Sequence, residues 1–223
     1  MMMQMMQQLI PAGLATELIY SFVIILCSLL IYYSTKEIYK LSSYKGLKYF
    51  REAFFFFALV YFFKSFIRFF IFFLGRKEIF EIASSLGNLS LFIFIYASSI
   101  AVFYLVYSVM YKKWNHEKTI IPTLHITAVI IALISMITRS SRIILGIEII
   151  LFISLTIITF ISHKNTKKPN NLRFIYLLIL IFFFLNIIDL ITPNFRAFQI
   201  FIYLFSIAIF IGILYKVLRK VGG

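Results

Sequence analysis

Seven apolar runs, each close to the roughly 20 residues an α-helix needs to cross a bilayer, alternate along this chain with short segments that hold most of its cations. The runs cover 14–33, 53–74, 89–110, 120–137, 143–161, 172–191 and 195–215. A peptide group cannot leave water unpaired, and a helix satisfies its own backbone, so runs of this length predict an all-α transmembrane bundle. Composition points the same way. Of 223 residues 62% are hydrophobic and 13% charged, against the roughly 25–35% charge of a soluble surface. The loops leave no room for a soluble domain, so 1–223 reads as a single transmembrane unit.

The distribution of Lys and Arg predicts which way the helices run. Alternate connections collect Lys36, Lys40, Lys45, Lys48, Arg51, Lys112, Lys113, Lys118, Lys164, Lys167, Lys168, Arg173, Lys216, Arg219 and Lys220 on one side, and only Arg76, Lys77, Arg139, Arg142 and Arg196 on the other. A basic surplus marks the cytoplasmic face, which places the N-terminus outside, the C-terminus inside and the chain in the cell membrane as a multi-pass protein. The same distribution explains the net charge of +14. It faces anionic lipid headgroups, and no basic stripe with exposed aromatics outside the spans offers a nucleic-acid surface. The Met/Gln-rich start carries no Lys or Arg and no small-residue cleavage pattern follows it, so the first span is expected to stay in the mature protein. The lone Cys27 lies within that span and excludes an intramolecular disulfide. In TKEIYKLSSYKGLKYF, Ile38, Leu41, Tyr44 and Leu47 recur every three residues among lysines, the pattern of a short helix in the headgroup plane or of an ordinary basic loop.

The third and seventh runs resemble each other. FIYASSIAVFYLVYSVMYKK, from Phe94, lies without gaps over FIYLFSIAIFIGILYKVLRK, from Phe201, with eight of twenty positions identical. Glu17 and Glu148 stand near the starts of the first and fifth runs, and the second and sixth each carry ionisable residues within aromatic-rich spans. This predicts a parallel duplication of three helices joined by the fourth, a 3+1+3 plan. The plan resembles microbial rhodopsins and the PQ-loop sugar transporters in topology alone. The resemblance to the first would imply a retinal lysine in the seventh helix, and Tyr203 to Phe210 include none. The second would imply mid-membrane prolines, whereas Pro11, Pro122, Pro169 and Pro193 fall at span ends or in loops. The stretch KEIYKLSSYKGLKYFREAFFFFALVYFF also looks like uncharacterised archaeal seven-helix proteins. No cofactor follows from any of these.

Ionisable groups at bilayer depth cost several kcal/mol unless paired or hydrated, so they mark the candidate site. Lys64 sits mid-way along the second run, Arg68 one turn further on the same face, and Asp189 on the sixth with Asn186 one turn before it. Glu17 and Glu148 fall at a similar depth. A cluster of Lys64, Arg68, Asp189, Glu148, Glu17 and Asn186 would bind a small polar or anionic ligand or relay ions; alternatively it is a buried structural ion pair, or Glu17 and Arg68 simply snorkel to the headgroups. His125 reads as a hydrogen-bonded core histidine, His116 and Glu117 beside Trp114 as an interfacial anchor, and the Phe54–Phe57 and Phe182–Phe184 runs as packing and lipid contact. No metal spacing, phosphate loop or nucleophile elbow is present, so the chain reads as non-enzymatic. Two functions fit: a receptor-like sensing or ligand-binding module that acts through a separate signalling partner, or a small-solute or ion transporter. A homo-oligomer is compatible with either.

Overall fold

The computed structural model describes residues 12–74, 80–111, 114, 117–138, 141–164, 171–191 and 196–221. The Met/Gln-rich start and the connecting residues Arg76, Lys77, Lys112, Lys113, His116, Lys167 and Lys168 lie outside them, as does the Arg68 side chain. The described residues form seven α-helices: α1 (Ala12–Ser42), α2 (Lys45–Leu74), α3 (Phe80–Met110), α4 (Glu117–Thr138), α5 (Ser141–Lys164), α6 (Asn171–Ile191) and α7 (Arg196–Val221). Each of the seven apolar runs lies within one helix, save Phe195, which is outside the described residues. Four segments among the described residues are long and apolar enough to cross a membrane: Ala15–Ser42, Gly87–Met110, Glu117–Thr138 and Ala197–Arg219. α2 is not among them, in keeping with Lys45, Lys48, Arg51 and Glu52 in its first turns and Lys64 further on.

Side chains are sorted as lipid sorts them. In a soluble bundle each helix shows water a polar face; here the outward stripes are apolar. On α1 the exposed stripe is Ile19, Phe22, Leu26, Leu30 and Tyr33, and on α6 it is Phe174, Leu177, Ile181 and Phe184, each at helical spacing. The polar residues are instead inside, among them Glu17, Ser21, Ser28, Thr35, Ser99, Ser108, Thr159, Asp189 and Ser206. Many hydroxyls close on their own helix, as Thr35 Oγ1 does to the Ile31 carbonyl at 2.6 Å and Ser135 Oγ to that of Ile131 at 2.9 Å. That economy suits a medium with no water to offer. The chain is therefore a helical protein built for membrane association.

Six helices pack as a closed ring in the order α1, α2, α3, α5, α6, α7 and back to α1. α4 stands outboard, against α3 and more thinly against α5. Its buried residues are Ala128, Ala132 and Ser135, a small-residue stripe that lets its backbone approach α3, while Ile126, Ile130, Ile134 and Ile137 face out. Across the ring α2 and α6 touch, and their facing residues keep one spacing in sequence: Phe57 with Phe182, Tyr61 with Asn186, Lys64 with Asp189. A constant spacing means the two helices run parallel and in register.

Between α1 and α2 the basic segment forms neither a separate surface helix nor a loop. α1 runs on to Ser42, Ser43 takes a positive φ of 50° as its cap, and α2 starts at Lys45. Gly46 is needed here, because a Cβ would stand 2.8 Å from the Ser108 carbonyl oxygen at the end of α3. The long straight helices that the apolar sequence favours thus continue through the lysines, and one left-handed residue makes the turn.

Candidate functional site

The α2–α6 seam brings together three of the residues the sequence singles out. Lys64 Nζ lies 3.7 Å from Asp189 Oδ2, with both side chains largely buried at 20% and 10% exposed. One turn deeper, Tyr61 donates to Asn186 Oδ1 at 2.8 Å, and Asn186 Nδ2 donates to the Phe182 carbonyl at 2.9 Å. Tyr61 has one hydroxyl proton and gives it to Asn186, so in its 3.0 Å contact with Tyr20 it must accept. The result is a directed chain, Tyr20 to Tyr61 to Asn186, linking α1, α2 and α6. Tyr20 stacks on Tyr203 of α7, centroids 4.4 Å apart and planes 10° off parallel, and the Lys64 ammonium stands 5.7 Å from the centre of the Tyr61 ring. Four helices therefore meet around one ion pair.

Beneath it the seam turns apolar. Phe57, Phe182, Phe54 and Phe210 pack ring to ring, closest at 4.6 Å between Phe182 and Phe210, and close the seam on the side of the basic end. Both phenylalanine runs divide by face: Phe54, Phe57 and Phe182 are buried, Phe55 and Phe184 exposed.

The other expected members are placed differently. Glu148 lines a void of about 10 Å³, room for about one water, between α3, α4 and α5 with Ser98, Ser99 and Ser135. It forms no ion pair with Lys64, which faces Asp189 instead. Glu17 is buried on α1, one turn before Tyr20 and Ser21. The Arg68 side chain lies outside the described residues. Among the described residues no group of three His, Cys, Asp or Glu could hold a metal.

A second polar group, at the opposite end of the bundle, went unrecognised in the sequence. Glu117, the first residue of α4, accepts from Lys45 at 2.8 Å and from Tyr49, and Lys48 stands 3.6 Å away. The hydrogen bond to Glu117, with its charge, raises the Lys45 ammonium above its usual range. Burial first, and then Glu117, push the Tyr49 phenol up, so Tyr49 remains the donor. Nearby, His125 is held by Tyr96 at Nδ1 (2.7 Å) and Tyr104 at Nε2 (2.8 Å); a neutral ring donates to one and accepts from the other. The signal that could have exposed the first group is that Glu117 is an isolated acid among cations just before one apolar run, with Lys45 and Lys48 shortly before another.

Burial follows the α3/α7 alignment only in part: Ala97, Tyr104 and Ser108 are buried, whereas the residues they pair with, Leu204, Ile211 and Tyr215, are exposed. The same alignment pairs Ile95 with Ile202, Ser99 with Ser206, Val102 with Ile209 and Val106 with Ile213, all buried. The α2/α6 contacts set a second offset, which pairs Phe50 with Ile175 and Phe54 with Ile179, again all buried. Aligning Glu17 with Glu148 pairs Tyr20 with Leu151, Ile24 with Leu155 and Ser28 with Thr159, buried too.

Over 220 residues, 93% of this chain and 93% of its counterpart, the sequence is 30% identical to an uncharacterized protein of Archaeoglobus fulgidus. No family model matches the chain, and no solved structure matches it.

Proposed function

The chain belongs to the same family as that Archaeoglobus fulgidus protein, and from that premise we propose that it is a multi-pass protein of the cell membrane, non-enzymatic, that senses or binds a small polar or anionic ligand at the α2–α6 seam. In this reading all seven helices cross the bilayer, N-terminus out and C-terminus in, supported by the three-to-one cation bias between the two ends. α1–α3 and α5–α7 are two copies of one unit joined by α4. The support is the ring order: a half-turn carries α1, α2 and α3 onto α5, α6 and α7, and it preserves the packing of α1 on α7 as that of α5 on α3. Lys64 and Asp189 then face each other near the pseudo-axis, where a ligand would touch both halves.

The observation that carries the sensing reading is the Lys64–Asp189 pair above the phenylalanine layer. A ligand that takes either charge away from the other must alter how α2 sits on α6, and the packed rings pass that change along the seam. A membrane or cytoplasmic signalling partner would read it. The rival reading, a small-solute or ion transporter, draws support from the same two-fold arrangement, since a site shared by two repeats is where alternating access operates.

Thermal unfolding of the detergent-purified chain across a panel of small anions and polar solutes tests this. A ligand that raises the melting temperature of the wild type, and not of Lys64→Ala or Asp189→Asn, is expected. Liposome flux abolished by the same two variants would replace sensing with transport, and a panel with neither response would remove the seam as a ligand site.

A further inference from the structure

The basic end carries a second feature, independent of the seam. Between the first turns of α2 and α4, over α3, lies a cleft of about 470 Å³, whose lining includes Lys48, Glu52, Phe55, Lys118, Ile121 and Pro122. Its lip is charged and its floor apolar. The division follows the sequence: Lys48 and Glu52 precede the run that starts at 53, and Glu117 and Lys118 precede the one that starts at 120.

The charges at the lip do not cancel. Arg51 binds Glu52 at 2.6 Å and Lys45 binds Glu117 at 2.8 Å, so both carboxylates are satisfied by cations beside the cleft. Lys48, half-buried, also stands 3.6 Å from Glu117, and Lys118 is exposed, so the four cations Lys45, Lys48, Arg51 and Lys118 outnumber the two carboxylates by two. Pro122 adds a backbone acceptor. Lacking an N–H, it leaves the carbonyl of Lys118, one turn earlier, without its intrahelical donor, and both residues line the cleft. A net excess of two positive charges and a spare carbonyl therefore sit over an apolar floor of Phe55, Phe56 and Ile121.

We propose that this cleft seats the headgroup of an anionic phospholipid, its phosphate between Lys48 and Lys118, a headgroup hydroxyl on the Lys118 carbonyl, and the first carbons of an acyl chain along Phe55 and Ile121. A free phosphate matches the lip and leaves the floor empty; a zwitterionic lipid matches the floor and brings its own cation to a cationic lip. Because Glu117 and Lys48 also tie α2 to α4, a lipid here bridges the outboard helix and the ring.

The test is native mass spectrometry of the full chain in detergent with added phosphatidylglycerol, phosphatidylcholine or inorganic phosphate. Retention of phosphatidylglycerol at least fivefold above phosphatidylcholine is expected, and inorganic phosphate should not displace it. Lys48→Ala with Lys118→Ala should lower retention at least fivefold, and Ile121→Trp, which fills the floor with no change of charge, should do likewise. Lys36→Ala with Lys40→Ala, exposed cations on α1 away from the cleft, should leave it unchanged. Equal retention of the two lipids, displacement by phosphate, or equal loss in the Lys36/Lys40 pair would each overturn the proposal, the last by showing diffuse attraction to the basic end. The lipid comparison needs only wild-type protein, so a variant that fails to fold does not shelter the idea.

Discussion

Lys64 of α2 and Asp189 of α6 stand opposite each other in register, 3.7 Å apart, at a level of the seam where the facing side chains carry opposite charge. Each neutralises a group that lipid would otherwise penalise. Removing one partner strands the other, which costs about 3–5 kcal/mol for a buried pair. Lys64→Ala and Asp189→Ala are each expected to lower the melting temperature of the detergent-extracted protein sharply. Lys64→Met with Asp189→Leu, which removes both charges and keeps the volume, should recover most of that loss. Full stability in both single alanine variants would mean that the pair holds nothing together.

The direction of the hydroxyl chain makes Tyr61 and Tyr20 unequal. Tyr61→Phe takes the donor from Asn186 and the acceptor from Tyr20 together, whereas Tyr20→Phe removes only a donor to Tyr61. Unmet buried polar groups cost about 1–3 kcal/mol each, so Tyr61→Phe should be the more damaging, by about 1 kcal/mol. Equal melting temperatures for the two variants would contradict the assigned direction.

Ala132 is fully buried where α4 meets α3, and Ile134 on the same helix is half exposed. Ala132→Phe must push the helices apart, at about 1–3 kcal/mol or more. Ile134→Phe points outward and should cost almost nothing. A cysteine cross-link or hydrogen exchange along α4 would show the first variant loosened and the second unchanged.

Gly46→Ala inverts the usual rule for helices, where alanine is worth about 1 kcal/mol over glycine. At this position the added methyl meets the Ser108 carbonyl at 2.8 Å. The substitution should destabilise, and a variant with raised melting temperature would show that α2 and α3 can separate at that point without loss.

The sequence made the helices legible because lipid imposes a length, and length is visible in apolar runs. It also located Lys64, Asp189 and Asn186, since a polar residue in such a run is conspicuous. The partners were hidden. Tyr61, Tyr20 and Tyr203 are scattered among fourteen tyrosines, and nothing local distinguishes a phenol that bonds across the core from one at the interface. The sequence puts Glu148 near the level of Arg68, one turn from Lys64, but depth does not fix which way a helix is rotated; Glu148 lines a void with Ser98 and Ser99 instead. Nor did the pattern at Ile38, Leu41, Tyr44 and Leu47 disclose that α1 and α2 extend through it, because a residue triplet repeat holds equally for a surface helix and for the prolonged end of a long one. Glu117 was read as an anchor, since its cationic partners are about seventy positions away in the chain.

α4 is the middle helix in sequence and the outermost in space. In the proposed 3+1+3 plan two triplets that run the same way cannot be joined by a short turn, because the first finishes on the face opposite to where the second begins; α4 then makes one more crossing. Its job is then that of a tether. The recognition between α1–α3 and α5–α7 resides in their own contacts, so a gene split within that tether should still yield two fragments able to find each other in the bilayer.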